Sequence, residues 1–224
     1  MTRFLVLPRT CDSQESWDEL IDKSKAFRLQ SLRESPDAFA STLENEQIFA
    51  CEIWEGRLAN PCATAVVAVS VSTRNKASDL DVLLESEWLA STVLLRPLED
   101  EVEKLSASAS PWSSVTEERE ERGKMIEDRR VLFVLNGVYV IPKARGYGVG
   151  VALLKASLEI GNKMVEGEGA VSAGFQVRVD AANTAAVKLY EKAGFKISLT
   201  ETIVMKKNAH KTPPPETIVY VMER

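Results

Sequence analysis

The chain has 224 residues, 45% of them hydrophobic, and a net charge of −5. That suits one sizeable domain with a buried core, or one domain with an embellishment. There is no basic block of the kind that binds nucleic acid and no apolar run long enough to span a bilayer. Three scattered cysteines and a single histidine, His210, argue against a disulfide framework, a zinc site and histidine-dependent chemistry.

The stretch Met1 to Pro8 is too short for a signal peptide and predicts a strand over Phe4–Leu7, so the cytoplasm is the expected compartment. Ser16 and Glu19 fit a capping box for a first helix. Trp17, Leu20, Ile21, Phe27 and Leu32 form its stripe, and it should stop before Pro36. A second helix is expected from Thr42, with Leu43, Phe49, Ile53, Trp54 and Leu58 on its apolar face. Thr64–Ser72 and Glu87–Leu95 predict strands, and Thr73–Leu83 between them reads as a mostly polar loop. Pro97–Arg130 is charged, serine-rich and longer than an ordinary connection, so it reads as an insertion in one domain spanning 1–224.

Val131–Val140 predicts a central strand, and Val151–Val165 has helical spacing. Phe175–Val179 is a further strand. Asn183–Ala193 is a helix with Gly194 at its left-handed terminator, and Lys196–Met205 and Thr217–Met222 are two last strands. The order is that of an α/β chain with a mixed sheet.

The most informative segment is Arg145-Gly146-Tyr147-Gly148-Val149-Gly150, between the central strand and the next helix. A glycine-rich turn at a helix N-terminus directs backbone N–H groups and a partial positive charge toward an anion. Arginine suits phosphate well. The segment therefore reads as a pyrophosphate cradle. A dinucleotide fingerprint would need glycine at position 151, where valine stands, and a Walker A loop would need Gly-Lys-Ser/Thr at the helix start.

Gly137 to Gly150 resembles motif A of the GNAT superfamily of acyl-CoA-dependent N-acyltransferases, with its core [RQ]-x-x-G-x-[GA]. Asn183 to Phe195 resembles motif B, and Leu29 to Glu44 is similar to the first helix–loop–helix of many members. The resemblance covers nearly the whole chain outside the insertion. It implies an α/β (α+β) fold: a mixed, mostly antiparallel seven-stranded sheet flanked by about four helices and splayed between strands 4 and 5. It also implies N-acetyl transfer from acetyl-CoA to a primary amine of a small molecule or peptide, by direct attack in a ternary complex.

On that resemblance Arg145, Gly146, Tyr147, Gly148, Val149 and Gly150 hold the pyrophosphate. Val138, Tyr139 and Val140 line the pantetheine arm, with a backbone N–H near Val140 polarising the acetyl carbonyl. Asn183 hydrogen-bonds the arm, and Tyr190 gives a proton to the departing thiolate. No metal is implied. The central strand carries no carboxylate to serve as base; Glu44, Glu46, Glu99 and Asp128 are the candidates elsewhere. Freeing a lysine-like amine costs about 4 kcal/mol near neutral pH and an α-amine little over 1 kcal/mol, so the lack of a strand base leans toward acceptors of low pKa. The missing base and the charged insertion also leave a non-catalytic acyl-CoA-binding module as the alternative. The negative net charge would favour a cationic acceptor by steering, and the last strands could serve a homodimer.

Overall fold

The computed structural model describes residues 1–71, 78–96, 112, 130–167, 172–204 and 216–224. The sequence order is β1 (Thr2–Val6), α1 (Gln14–Glu34), a 3₁₀ turn at Pro36–Ala38, α2 (Leu43–Glu46), α3 (Cys51–Ala59), β2 (Ala63–Ser70), α4 (Asp79–Glu85) and β3 (Trp88–Leu95). It continues with β4 (Arg130–Val140), a 3₁₀ turn at Pro142–Ala144, α5 (Val149–Gly167), β5 (Ser172–Asp180), α6 (Thr184–Lys192), β6 (Lys196–Val204) and β7 (Glu216–Glu223). Among the described residues one seven-stranded sheet runs β1-β2-β3-β4-β5-β7-β6, and only its β4–β5 pair is parallel.

The sequence reading is corrected at three helices, which raises the expected four to six α-helices among the described residues. The first begins earlier because Ser13, not Ser16, is its cap: the Ser13 hydroxyl accepts the Ser16 N–H at 3.2 Å. The second is two helices. Thr42 caps a short α2, and α3 restarts after Ala50, which is extended. Along one continuous helix Glu46 and Arg57 would stand about 16 Å apart; the break closes them to 2.9 Å. The polar loop contains α4, started by a complete Ser78–Asp81 capping box and held by buried Val82 and Leu83. Of the insertion, only Trp112 and the start of β4 fall among the described residues. His210, Glu99, Asp128 and the polyproline stretch lie outside them.

Two apolar layers sandwich the sheet. On one face α1 and α3 pack Leu20, Leu32, Trp54 and Leu58 with Val67, Val69, Trp88 and Tyr139. On the other, Leu154 and Leu158 of α5 meet Phe133, Leu135, Phe175 and Val177. Gly161 lets α5 settle on this face, since a Cβ there would stand 2.6 Å from the Phe175 ring. None of the three cysteines forms a disulfide: Cys62 is buried, Cys11 half-buried and Cys51 exposed.

Candidate functional site

The site is set by two irregularities of β4. The first is a bulge. Between the pairs Ser91↔Tyr139 and Val93↔Asn136, β4 holds one more residue than β3, and Gly137 takes φ +63° there. A left-handed residue with an inserted position flips the side-chain alternation. Phe133 and Leu135 pack toward α5, and beyond the bulge Val138 does so too. Tyr139 and Ile141 turn to the α1 face. The Thr92 hydroxyl donates to the Asn136 carbonyl at 3.2 Å and ties the bulge to β3.

The second is a split. β4 and β5 are paired from Arg130↔Ser172 to Val134↔Gln176 and no further, although β4 runs on to Val140 and β5 to Asp180. The unpaired halves diverge, as the expected splay between strands 4 and 5 requires. Val138, Tyr139 and Val140 lie on the open half of β4.

Beyond β4 the chain turns through Pro142–Ala144 into the glycine loop. Gly146 has φ +84° and Gly148 +80°, with nothing within 4 Å of a Cβ added at either. These two glycines supply backbone conformation, which L-residues adopt at a cost. Gly150 is different. It is buried, and a Cβ there would meet Leu189 Cδ1 at 3.1 Å and Val140 Cγ2 at 3.2 Å. It therefore docks α5 against the end of β4 and against α6, joining the two sequence motifs physically. The first helical bond of α5 runs from Ala152 N–H to the Gly148 carbonyl at 3.0 Å. The N–H groups of Val149, Gly150 and Val151 are thus left without intrahelical acceptors at the positive end of a 19-residue helix. Tyr147 is 84% exposed beside them.

The Arg145 side chain turns back from this loop. Its Nε donates to the Val140 carbonyl at 2.9 Å and its Nη2 to the Ser35 hydroxyl at 3.0 Å, which pins the loop to β4 and to the end of α1. Tyr139 is buried, with its hydroxyl hydrogen-bonded to Glu34; burial, then that bond, raises its pKa. The same bond holds the Glu34 carboxyl below its ordinary range. Nothing in the sequence spacing links Glu34 to Tyr139, 105 residues away.

Asn183 caps α6, its Oδ1 accepting the Ala186 N–H at 3.1 Å. Its side-chain NH₂ has no partner among the described residues. Tyr190 stands on the same helix, 6% exposed, with its ring edge-on to Phe195 at 5.9 Å. It belongs to the apolar cluster that Val138 joins from the open half of β4. Burial alone pushes its pKa well above the ordinary tyrosine value, so it is neutral throughout the physiological range.

Of the candidate bases, Glu44 is exposed on α2. Glu46 is 1% exposed, and two arginines hold it. Burial raises its pKa, but the hydrogen bonds and charge of Arg28 and then Arg57 outweigh that and bring it down to about 2. A carboxylate so acidic is a poor proton acceptor. Among the described residues no group of three or more histidines, cysteines and carboxylates could hold a metal, and no helix is long and apolar enough to cross a membrane.

Residues 115–197 match the model of the acetyltransferase (GNAT) domain. No curated protein matches the sequence. Among solved structures the fold is similar to that of Arabidopsis thaliana NAA60 in complex with acetyl-CoA, at TM-score 0.56 and 14% identity over 100% of this chain and 98% of that one. It is similar as well to a GNAT-family acetyltransferase from Streptococcus pneumoniae, at TM-score 0.57 and 14% identity over 99% of both chains. A third likeness is the spermidine N-acetyltransferase of Vibrio cholerae in complex with CoA and spermine, at TM-score 0.51 and 12% identity over 100% of this chain and 94% of that one. The bulged and split β4, the glycine loop at the head of α5 and the domain model matched over residues 115–197 thus form one continuous arrangement, and the fold is similar to that of GNAT-family acetyltransferases.

Proposed function

We propose that the protein transfers an acetyl group from acetyl-CoA to a primary amine by direct attack in a ternary complex. The observation that carries this reading is the β4–β5 split, which opens beside a loop of unbonded N–H groups. In this reading the pyrophosphate rests on Gly146–Val151, where the helix end stabilises negative charge. Arg145 shapes that loop through its bonds to Val140 and Ser35. The pantetheine arm lies along Val138–Val140, with the free Asn183 amide donating to it from the far side of the split.

The acceptor nitrogen attacks the thioester carbon, and the carbonyl oxygen becomes an oxyanion stabilised by a backbone N–H of the 138–140 stretch. Collapse breaks the C–S bond. The thiolate takes the Tyr190 proton, and the proton lost by the nitrogen restores the tyrosine through solvent. Burial that raises the tyrosine pKa also raises that of the desolvated thiolate, so the two stay matched. The structural neighbours whose complexes hold acetyl-CoA or CoA support the donor, and the spermine-bound one supports an amine acceptor.

The test is release of free CoA thiol from acetyl-CoA across a panel of small amines and peptides. Turnover is expected with at least one amine. Tyr190→Phe should lower its kcat about 100-fold, with little change in KM for acetyl-CoA. The hydroxyl has no hydrogen-bond partner among the described residues, so the variant should keep the parent Tm. Unchanged kcat in Tyr190→Phe would remove the acid role; absence of turnover across the panel would count against transfer.

A further inference from the structure

On the α1 face, the guanidinium of Arg28 lies over the β4 bulge: a Cβ built on Gly137 would stand 3.9 Å from its Nη1. Arg28 Nε and Nη2 grip the Glu46 carboxylate at 3.1 and 2.6 Å, and Arg57 Nη1 reaches it at 2.9 Å. Two cations thus share one buried anion, and among the described residues the cluster carries a surplus positive charge. Arg28 Nη1, Arg57 Nε and Arg57 Nη2 have no acceptor among the described residues. The two side chains are partly exposed, at 24% and 20%.

Aromatic rings hold these guanidinium groups in place. Phe39 lies 4.7 Å from that of Arg28, and Phe49, Trp54 and Trp112 lie 5.0 to 5.2 Å from that of Arg57. A fixed guanidinium with open N–H groups beside apolar rings is a ready receptor for an oxyanion. The two arginines fasten α1 and α3 to α2 through one carboxylate, and in doing so they leave N–H groups open. The surplus charge stands beside the strand segment at which the acetyl group is placed in the transfer reading.

We infer that the acceptor amine carries a carboxylate or comparable oxyanion, and that Arg28 and Arg57 hold it next to the β4 bulge. The inference rests on the acetyl-transfer reading for the identity of the reacting group, but the anion site can be tested without turnover. The probes are acid and amide pairs of equal shape: short peptides beginning with aspartate or glutamate against those beginning with asparagine or glutamine. Each pair is assayed for CoA release and, by calorimetry, for binding to CoA-saturated protein.

The acid should exceed the amide in kcat/KM by about tenfold or more, chiefly through KM, as loss of a charge-assisted hydrogen bond implies. In Arg57→Gln the ratio should collapse toward one, and Arg57→Lys should retain an intermediate ratio. Both members of a pair are read on the same preparation, so any loss of folded protein cancels from the ratio. Equal use of acid and amide by the parent, or an undiminished ratio in Arg57→Gln, overturns the inference. If nothing is turned over, a preference for the acid in binding supports the anion site and removes the transfer reading. No preference in binding overturns the site itself.

Discussion

Gly150 and Gly148 stand two residues apart and do different work, and a methyl group separates them. At Gly148 an added Cβ meets nothing, yet φ is +80°, a strained value for any other residue. At Gly150 the Cβ would crowd Leu189 and Val140 at 3.1 and 3.2 Å. Gly150→Ala should cost about 1–3 kcal/mol of stability through overpacking. It should also shift α6 away from α5, and the change would be read as a lower midpoint in urea. Gly148→Ala should cost about 1–2 kcal/mol for its left-handed backbone, with no displacement of α6. Equal displacement in both variants, seen in their structures, would contradict this division of roles. The sequence displayed all three loop glycines but not that one of them is a packing contact, because Leu189 lies 39 positions away and meets it only in the fold.

At the scale of elements, Glu46 joins α2 to α1 and α3 through Arg28 and Arg57. Its folded pKa of about 2 lies below the unfolded value of about 4.3. A depressed carboxylate contributes stability above the unfolded pKa and loses it as pH falls through the folded one. The contribution is about 3 kcal/mol at neutral pH and should fade between about pH 5 and pH 2. Denaturant titrations of parent and Glu46→Gln across that range should therefore converge at the acid end; a gap that stays constant with pH would contradict the ion-pair account.

The strands, α5 and α6 could be read from alternation, helical spacing and the two motifs, since those signals are local. The break between α2 and α3 could not, because its cause is a carboxylate meeting arginines 18 and 11 positions away. The short α4 was present in the sequence as a Ser-x-x-Asp start signal, hidden by its polar surroundings. At the site, the loop, the split and Asn183 were visible in outline. Arg145 bound to Val140 and Ser35, and Tyr139 bound to Glu34, depend on long-range contacts that no spacing encodes.

Across the whole molecule, a net charge of −5 attracts cations at long range. The face around the bulge is locally of the opposite sign. Among the described residues Arg28 and Arg57 exceed Glu46 there. Global and local fields thus pull differently on an acceptor. An amine that also bears a carboxylate satisfies both: its ammonium is drawn by the whole protein and its anion is held at the site. With little short-range competition from solvent, the local term should resist salt better than the global one. For such an acceptor, raising ionic strength should slow association while leaving the acid-over-amide ratio largely intact. A ratio that collapses at high salt would place the preference in the long-range field.

Acetyl transfer by this protein requires that the open half of β4 and the loop behind it receive the acyl-CoA. The most direct measurement is an NMR titration of ¹⁵N-labelled protein with acetyl-CoA, following backbone amides one by one. Saturable shifts are expected, largest at Gly146–Val151 and at Val138–Val140, with a further shift at the Asn183 side-chain amide. Shifts that cluster on other elements, or a spectrum unmoved by acetyl-CoA, would contradict this placement of the acyl-CoA.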